Sequence, residues 1–130
     1  MKISTKGRYA LRVMIDIAEN GKGESVSVKD ISERQNISKK YLEQILALLS
    51  KGGMISTCRG NKGGYRLTKS PSSYTVGEIL RATEGDLSPL DCLNNASCTR
   101  ASCCKTHDFW AGLDAVIESY VDGKTLADLL

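Results

Sequence analysis

Residues Ser38 to Arg66 read SKKYLEQILALLSKGGMISTCRGNKGGYR. Leu42, Ile45, Leu46 and Leu49 recur at i, i+3, i+4 and i+7, the spacing of one buried helix face. The spacing predicts a helix over Lys39 to Lys51, with Ser38 as its N-cap and Gly52-Gly53 as its stop. Lys40, Glu43, Gln44 and Ala47 repeat the same spacing on the opposite face. Two short strands are expected next, Met54 to Arg59 and Tyr65 to Lys69. They are joined by Gly60-Asn61-Lys62-Gly63-Gly64, a loop of residues that tolerate positive φ.

Upstream, Ala10, Val13, Met14 and Ile17 mark a first helix from Ser4 to Asn20, ended by Gly21 and Gly23. Ser27-Val28-Lys29-Asp30 resembles a capping box and opens a short helix to about Gln35. Asn36-Ile37-Ser38 is then a tight turn. Helix, helix, turn, helix, hairpin is the order of a winged helix-turn-helix.

Ser70-Pro71-Ser72-Ser73 forms a polar boundary, followed by a short helix from Thr75 to about Thr83. Residues 85–107 read as irregular. A last helix starts between Cys104 and His107 and runs to about Val121, with an apolar stripe of Phe109, Leu113, Val116, Ile117 and Tyr120. Thr125 caps a final turn. The expected fold is therefore mostly α with a small β-hairpin wing. Residues 1–70 are expected to form the DNA-binding domain, and residues 71–130 a cysteine loop with dimerisation helices. The last stripe exceeds what so short a chain can cover, which predicts a two-fold homodimer.

Charge supports that division. Residues 1–69 hold 14 Lys or Arg against 6 Asp or Glu, and residues 70–130 hold 4 against 9. A basic half points to a polyanion. Lys40 can donate to guanine, Gln44 can pair with adenine, and Glu43 can accept from the cytosine amino group. Glu43 repels phosphate wherever no donor meets it, so it is expected to set specificity. Arg59, Lys62 and Arg66 flank the wing glycines, where backbone and arginine can approach a narrow minor groove. Lys6, Arg8 and Lys39 are expected phosphate contacts that position without reading sequence, and Ser38, the N-cap, completes the expected DNA-binding set. The expected partner is double-stranded DNA with paired half-sites in a palindromic operator.

Cys92, Cys98, Cys104 and His107 give the spacing C-x5-C-x5-C-x2-H. Thiolate and imidazole are ligands of zinc and of iron–sulfur clusters. Cys103, at i−4 from His107, is an alternative to Cys104. Cys58 lies apart in the first wing strand and reads as a small half-buried apolar residue.

With these residues in view, the chain resembles the IscR-type iron–sulfur regulators, in the wider family that includes CymR and NsrR. The resemblance covers nearly the whole chain. It runs through Ser4-Thr5-Lys6-Gly7-Arg8-Tyr9-Ala10, Asp30-Ile31-Ser32-Glu33-Arg34-Gln35, Tyr41-Leu42-Glu43-Gln44, Arg59-Gly60 with Gly63-Gly64-Tyr65, Val76-Gly77-Glu78-Ile79, and the cysteine series closing on Thr106-His107. It implies a 2Fe–2S cluster on Cys92, Cys98, Cys104 and His107, and a homodimer joined through the long last helix. It also implies base reading by Glu43 and Gln44, minor-groove entry by Arg59, and control of iron–sulfur biogenesis genes, as a repressor. Arg8 stands where nitric-oxide sensors of the family tend to carry an acidic ligand, and CymR-like proteins lack the full cysteine series.

Three other readings compete. A zinc- or thiol-based winged-helix regulator of cysteine metabolism would use the same half for DNA. An iron–sulfur carrier would explain the cysteines but not the basic half. An enzyme is not expected, because no Ser-His-Asp set, phosphate loop or paired-carboxylate motif is present. No stretch approaches the ~20 apolar residues of a membrane span. Arg12 and Asp16 interrupt what a signal peptide would need, so a cytoplasmic location without membrane contact is expected.

Overall fold

The computed structural model describes residues 2–60, 63–93, 98–100 and 102–130. Three helices come first: α1 (Thr5–Gly21), α2 (Val28–Gln35) and α3 (Lys39–Lys51). A two-stranded antiparallel hairpin follows, β1 (Ile55–Cys58) and β2 (Gly64–Leu67). Then come α4 (Val76–Glu84) and α5 (His107–Asp122), with short 3-10 turns at Pro71–Ser73, Asp91–Leu93 and Ala127–Leu129. The mostly helical fold with a small wing is borne out.

The side chains that cap each helix are those the sequence offers. Ser4, Ser27 and Ser38 accept from Gly7, Asp30 and Tyr41 backbone N–H groups. Thr75 and Glu78 close a full capping box at the start of α4. Gly21 does not end α1 by turning; it stays helical and buried, where a Cβ would lie 3.2 Å from Val26 Cγ2. Lys22 takes the left-handed turn instead, at φ 48°.

β1 lies inside the expected Met54 to Arg59, and β2 starts one residue before and ends two before the expected Tyr65 to Lys69; at the base of the hairpin Tyr74 takes backbone groups beyond both strands. Its hydroxyl donates to the Met54 carbonyl at 2.7 Å and accepts the Thr68 and Lys69 N–H groups at 2.9 Å each. In the ladder, Ile55 pairs with Leu67 and Cys58 with Gly64. Val26 bridges to Tyr65, and a Cβ on Gly64 would overlap the Val26 carbonyl. The wing is thereby tied to the loop before α2.

One core holds the helices together. Ala10, Val13, Met14 and Ile17 of α1 meet Leu42, Ile45, Leu46 and Leu49 of α3, all essentially sealed from solvent. Tyr74, Ile79 and Leu126 join the same cluster. Leu126 is held by its N–H donating to the Tyr74 carbonyl at 3.0 Å, beside a bridge between Thr75 and Thr125. Asp16 is the buried charge, 1% exposed. Arg34 grips it with two nitrogens at 2.7 and 3.0 Å, and Gln35 donates a third bond at 2.9 Å. This fork locks α2 to α1.

Candidate nucleic-acid interface and cysteine segment

Burying one face of α3 decides what the other presents. Leu42, Ile45, Leu46 and Leu49 point inward, and Lys39, Lys40, Glu43, Gln44 and Ala47 are exposed. None of the four polar side chains has an ion pair among the described residues. Their hydrogen-bonding groups are free for a ligand. Ser38 is committed to the cap, with Tyr41 N–H at 3.3 Å from its hydroxyl.

Arg59 and Arg66 are exposed on the wing, Arg59 just after β1 and Arg66 opposite Ser56. Gly60 between them has φ 111°, a conformation that a side chain would strain. Lys62 lies outside the described residues. Lys6 and Arg8 are exposed in the first turn of α1, with Arg8 donating to the Thr5 hydroxyl at 3.0 Å.

One contact joins α1 to α3 and another joins it to α2, and the sequence reading missed both. Tyr9 and Tyr41 meet edge to face with ring centroids 5.8 Å apart. Arg12 lies 4.9 Å from the Tyr9 ring centroid and donates to the Gln35 side chain at 3.1 Å. Tyr9 and Tyr41 carry no periodicity that separates them from ordinary core aromatics, so only the packing pairs them.

The cysteine segment is less closed. All five cysteines are free thiols. Cys98, Cys103 and Cys104 line one shallow cleft with Arg100, Lys105 and Thr106. Cys92 is exposed on the 3-10 turn Asp91–Leu93, and Cys58 is half-buried in β1. His107 is the first residue of α5, its N–H donating to the Cys104 carbonyl at 3.4 Å, so the two sit one turn apart as expected. The Thr106 hydroxyl, 3.4 Å from the Cys104 sulfur, holds that thiol below its usual range by hydrogen bonding. Among the described residues no three His, Cys, Asp or Glu side chains converge on a metal-sized point. Residues 94–97 and 101 of this segment lie outside the described set. The donor set suits a soft metal centre chemically: thiols free of disulfides share one cleft, and an imidazole stands one turn from one of them.

The apolar stripe of α5 faces out. Phe109, Val116 and Tyr120 are 66, 65 and 66% exposed, and Leu113 is 37% exposed. Among the described residues no helix is long and apolar enough to cross a membrane.

Comparison with known proteins agrees with this geometry. The chain is 38% identical over 130 residues to the HTH-type transcriptional regulator IscR of Aliivibrio salmonicida, covering 100% of this chain and 77% of that protein. Its fold matches the IscR of T. potens at TM-score 0.80 and 38% identity, over 99% of this chain and 85% of that one. It also matches CymR, the global cysteine regulator of B. subtilis, at TM-score 0.83 and 35% identity, over 99% of this chain and 95% of that one. The family model described as an iron-dependent transcriptional regulator, Rrf2, matches residues 3–130, and the chain belongs to that family of transcription regulators.

Proposed function

We propose that this protein is a homodimeric iron–sulfur regulator that represses iron–sulfur biogenesis genes from a palindromic operator. The observation that carries the DNA half is the exposed row of Lys39, Lys40, Glu43 and Gln44, backed by the sealed face of α3. Phosphate contacts fall to Lys6, Arg8, Lys62 and Arg66, and Arg59 enters the minor groove. Ser38 sets the start of the reading helix and Glu43 enforces choice among sites. The exposed stripe of α5 supports a two-fold dimer through that helix.

Cys92, Cys98, Cys104 and His107 would hold a 2Fe–2S cluster, which when bound supplies a redox- and iron-sensitive group beside the start of α5. Protein purified without oxygen should then be coloured and contain iron with acid-labile sulfide. Cys92→Ala, Cys98→Ala and Cys104→Ala should each lose it, and Cys103→Ala should keep it. Stoichiometric zinc without sulfide would overturn the cluster and favour a zinc- or thiol-based regulator, the reading to which the likeness to CymR lends weight.

Glu43→Ala should relax sequence discrimination between operator classes. Arg59→Ala should weaken binding to all of them and flatten the salt dependence by roughly 0.9 for each phosphate it leaves unneutralised. An unchanged affinity ratio in Glu43→Ala, with a changed one in Arg59→Ala, would reverse the two roles.

A further inference from the structure

The first turn of α1 is fastened by one residue at the far end of α4. Glu84 Oε1 accepts the Ser4 and Gly7 N–H groups at 3.0 Å each, and the Ser4 hydroxyl as well. Helix starts leave such N–H groups without intrahelical partners and favour an anion beside them. Glu84 supplies that anion from a distant part of the chain. Gly7 is buried, and a methyl there would overlap the Glu84 carboxylate. The turn so held carries Lys6 and Arg8 on its exposed side, and Tyr9 against Tyr41 of α3. Glu84 is also the last residue of α4, and Gly85, at φ 76°, opens the cysteine-bearing stretch. One turn earlier on α4, Arg81 pairs with Asp122 at 2.8 Å and with Glu118, both on α5. A single turn of α4 thus holds α5 on one side and the start of α1 on the other.

We propose that Glu84 is a positioning residue for DNA binding. Its carboxylate fixes the first turn of α1 so that Lys6 and Arg8 meet phosphate in register with α3. The proposal rests on the reading of Lys6 and Arg8 as phosphate contacts. Without the carboxylate the turn frays, and affinity falls in proportion to the fraction of molecules still in the binding form.

The test uses the full chain and one duplex that the unsubstituted protein enriches from a random pool, titrated at several salt concentrations. Glu84→Ala should bind about 5-fold more weakly, the scale of a removed helix cap. Its plot of log affinity against log salt should flatten by roughly 0.9 for each phosphate that Lys6 and Arg8 no longer neutralise. Glu84→Gln keeps an acceptor oxygen at the same reach and should recover most of the affinity. Gly7→Ala favours the helix intrinsically but displaces the carboxylate, so it should weaken binding without lowering Tm. Adding Glu84→Ala to a Lys6→Ala/Arg8→Ala background should cost less than it does alone.

Two results overturn the proposal. Glu84→Ala and Gly7→Ala with full affinity and full salt slope, whatever their Tm, would make Glu84 a structural cap only. A Lys6→Ala/Arg8→Ala variant with an unchanged slope would remove the phosphate-contact reading itself, and the proposal with it. If that variant loses slope while Glu84→Ala and Gly7→Ala do not, the phosphate contacts stand and only the positioning role falls. Should Glu84→Ala fail to fold, Glu84→Gln and Gly7→Ala carry the same comparison.

Discussion

Helices α1 and α5 are nearly equal in length, 17 and 16 residues, and both carry an apolar stripe. Their surroundings are opposite. α1 buries Gly7, Ala10, Val13, Met14, Asp16, Ile17 and Gly21, and α5 buries no residue. Among the described residues, every buried apolar side chain except Leu87 and Leu126 lies before residue 81. The winged-helix half shares one core with Tyr74, Ile79 and Leu126, and that core closes within the chain. The helix that follows the cysteines leaves Phe109, Leu113, Val116 and Tyr120 exposed, the kind of apolar surface on which the proposed dimer rests.

The largest test of that contrast is truncation within each stripe. Leu46→Ala in α3 should cost about 2–5 kcal/mol, because a sealed cavity adds to the transfer energy forgone. Val116→Ala on α5 should change the unfolding free energy of dilute monomer by less than about 0.5 kcal/mol. It should instead raise the concentration at which copies associate. Urea unfolding and sedimentation separate the two effects, and equal losses of stability would erase the distinction between the helices.

Ion pairs should divide in the same way. Arg34→Ala strands the sealed Asp16 carboxylate and should cost about 3 kcal/mol. Arg81→Ala breaks two ion pairs whose members are 33 to 45% exposed, and should cost about 1 kcal/mol or less. Thermal unfolding of the two variants ranks them. A larger loss in Arg81→Ala would mean that α4 and α5 are joined more tightly than their exposure indicates.

Thr75→Ala falls between the two halves and should cost about 1 kcal/mol, by removing one arm of the capping box that starts α4. Circular dichroism during urea unfolding measures it.

The smallest effect concerns pH. The hydrogen bonds from Arg81 hold the Asp122 carboxyl below its ordinary value of 3.8. A carboxyl depressed in the folded state stabilises it above that ordinary value and loses its contribution as pH falls through the folded one. The grip of α4 on α5 should therefore loosen only in acid below about pH 4. Trp110, the sole tryptophan and a residue of α5, reports the change through its fluorescence. Arg81→Ala should abolish that phase, and its persistence would assign the phase to another group.

The residues of the reading helix show how far sequence reaches. Leu42, Ile45, Leu46 and Leu49 declare the buried face through spacing alone, so the outward set of Lys40, Glu43, Gln44 and Ala47 follows without coordinates. The helix caps follow for a similar reason, since Ser and Thr act within three residues of where they stand. Local rules also set the approximate extent of all five helices. The polar ties between distant elements are a different matter. Asp16 reads as an interruption of an apolar run, yet Arg34 and Gln35 make it a buried lock. Tyr74 falls between the polar boundary and the next helix and carries no local signal, yet its hydroxyl gathers three backbone groups at the base of the wing. Glu84 lies just past the expected end of its helix at about Thr83, yet its carboxylate bonds Ser4, the N-cap of α1, 80 positions earlier. Periodicity and capping are interactions over three or four residues, so the sequence carries them directly. A hydrogen bond between residues far apart depends on where the packed core places each element, and only the tertiary structure decides that.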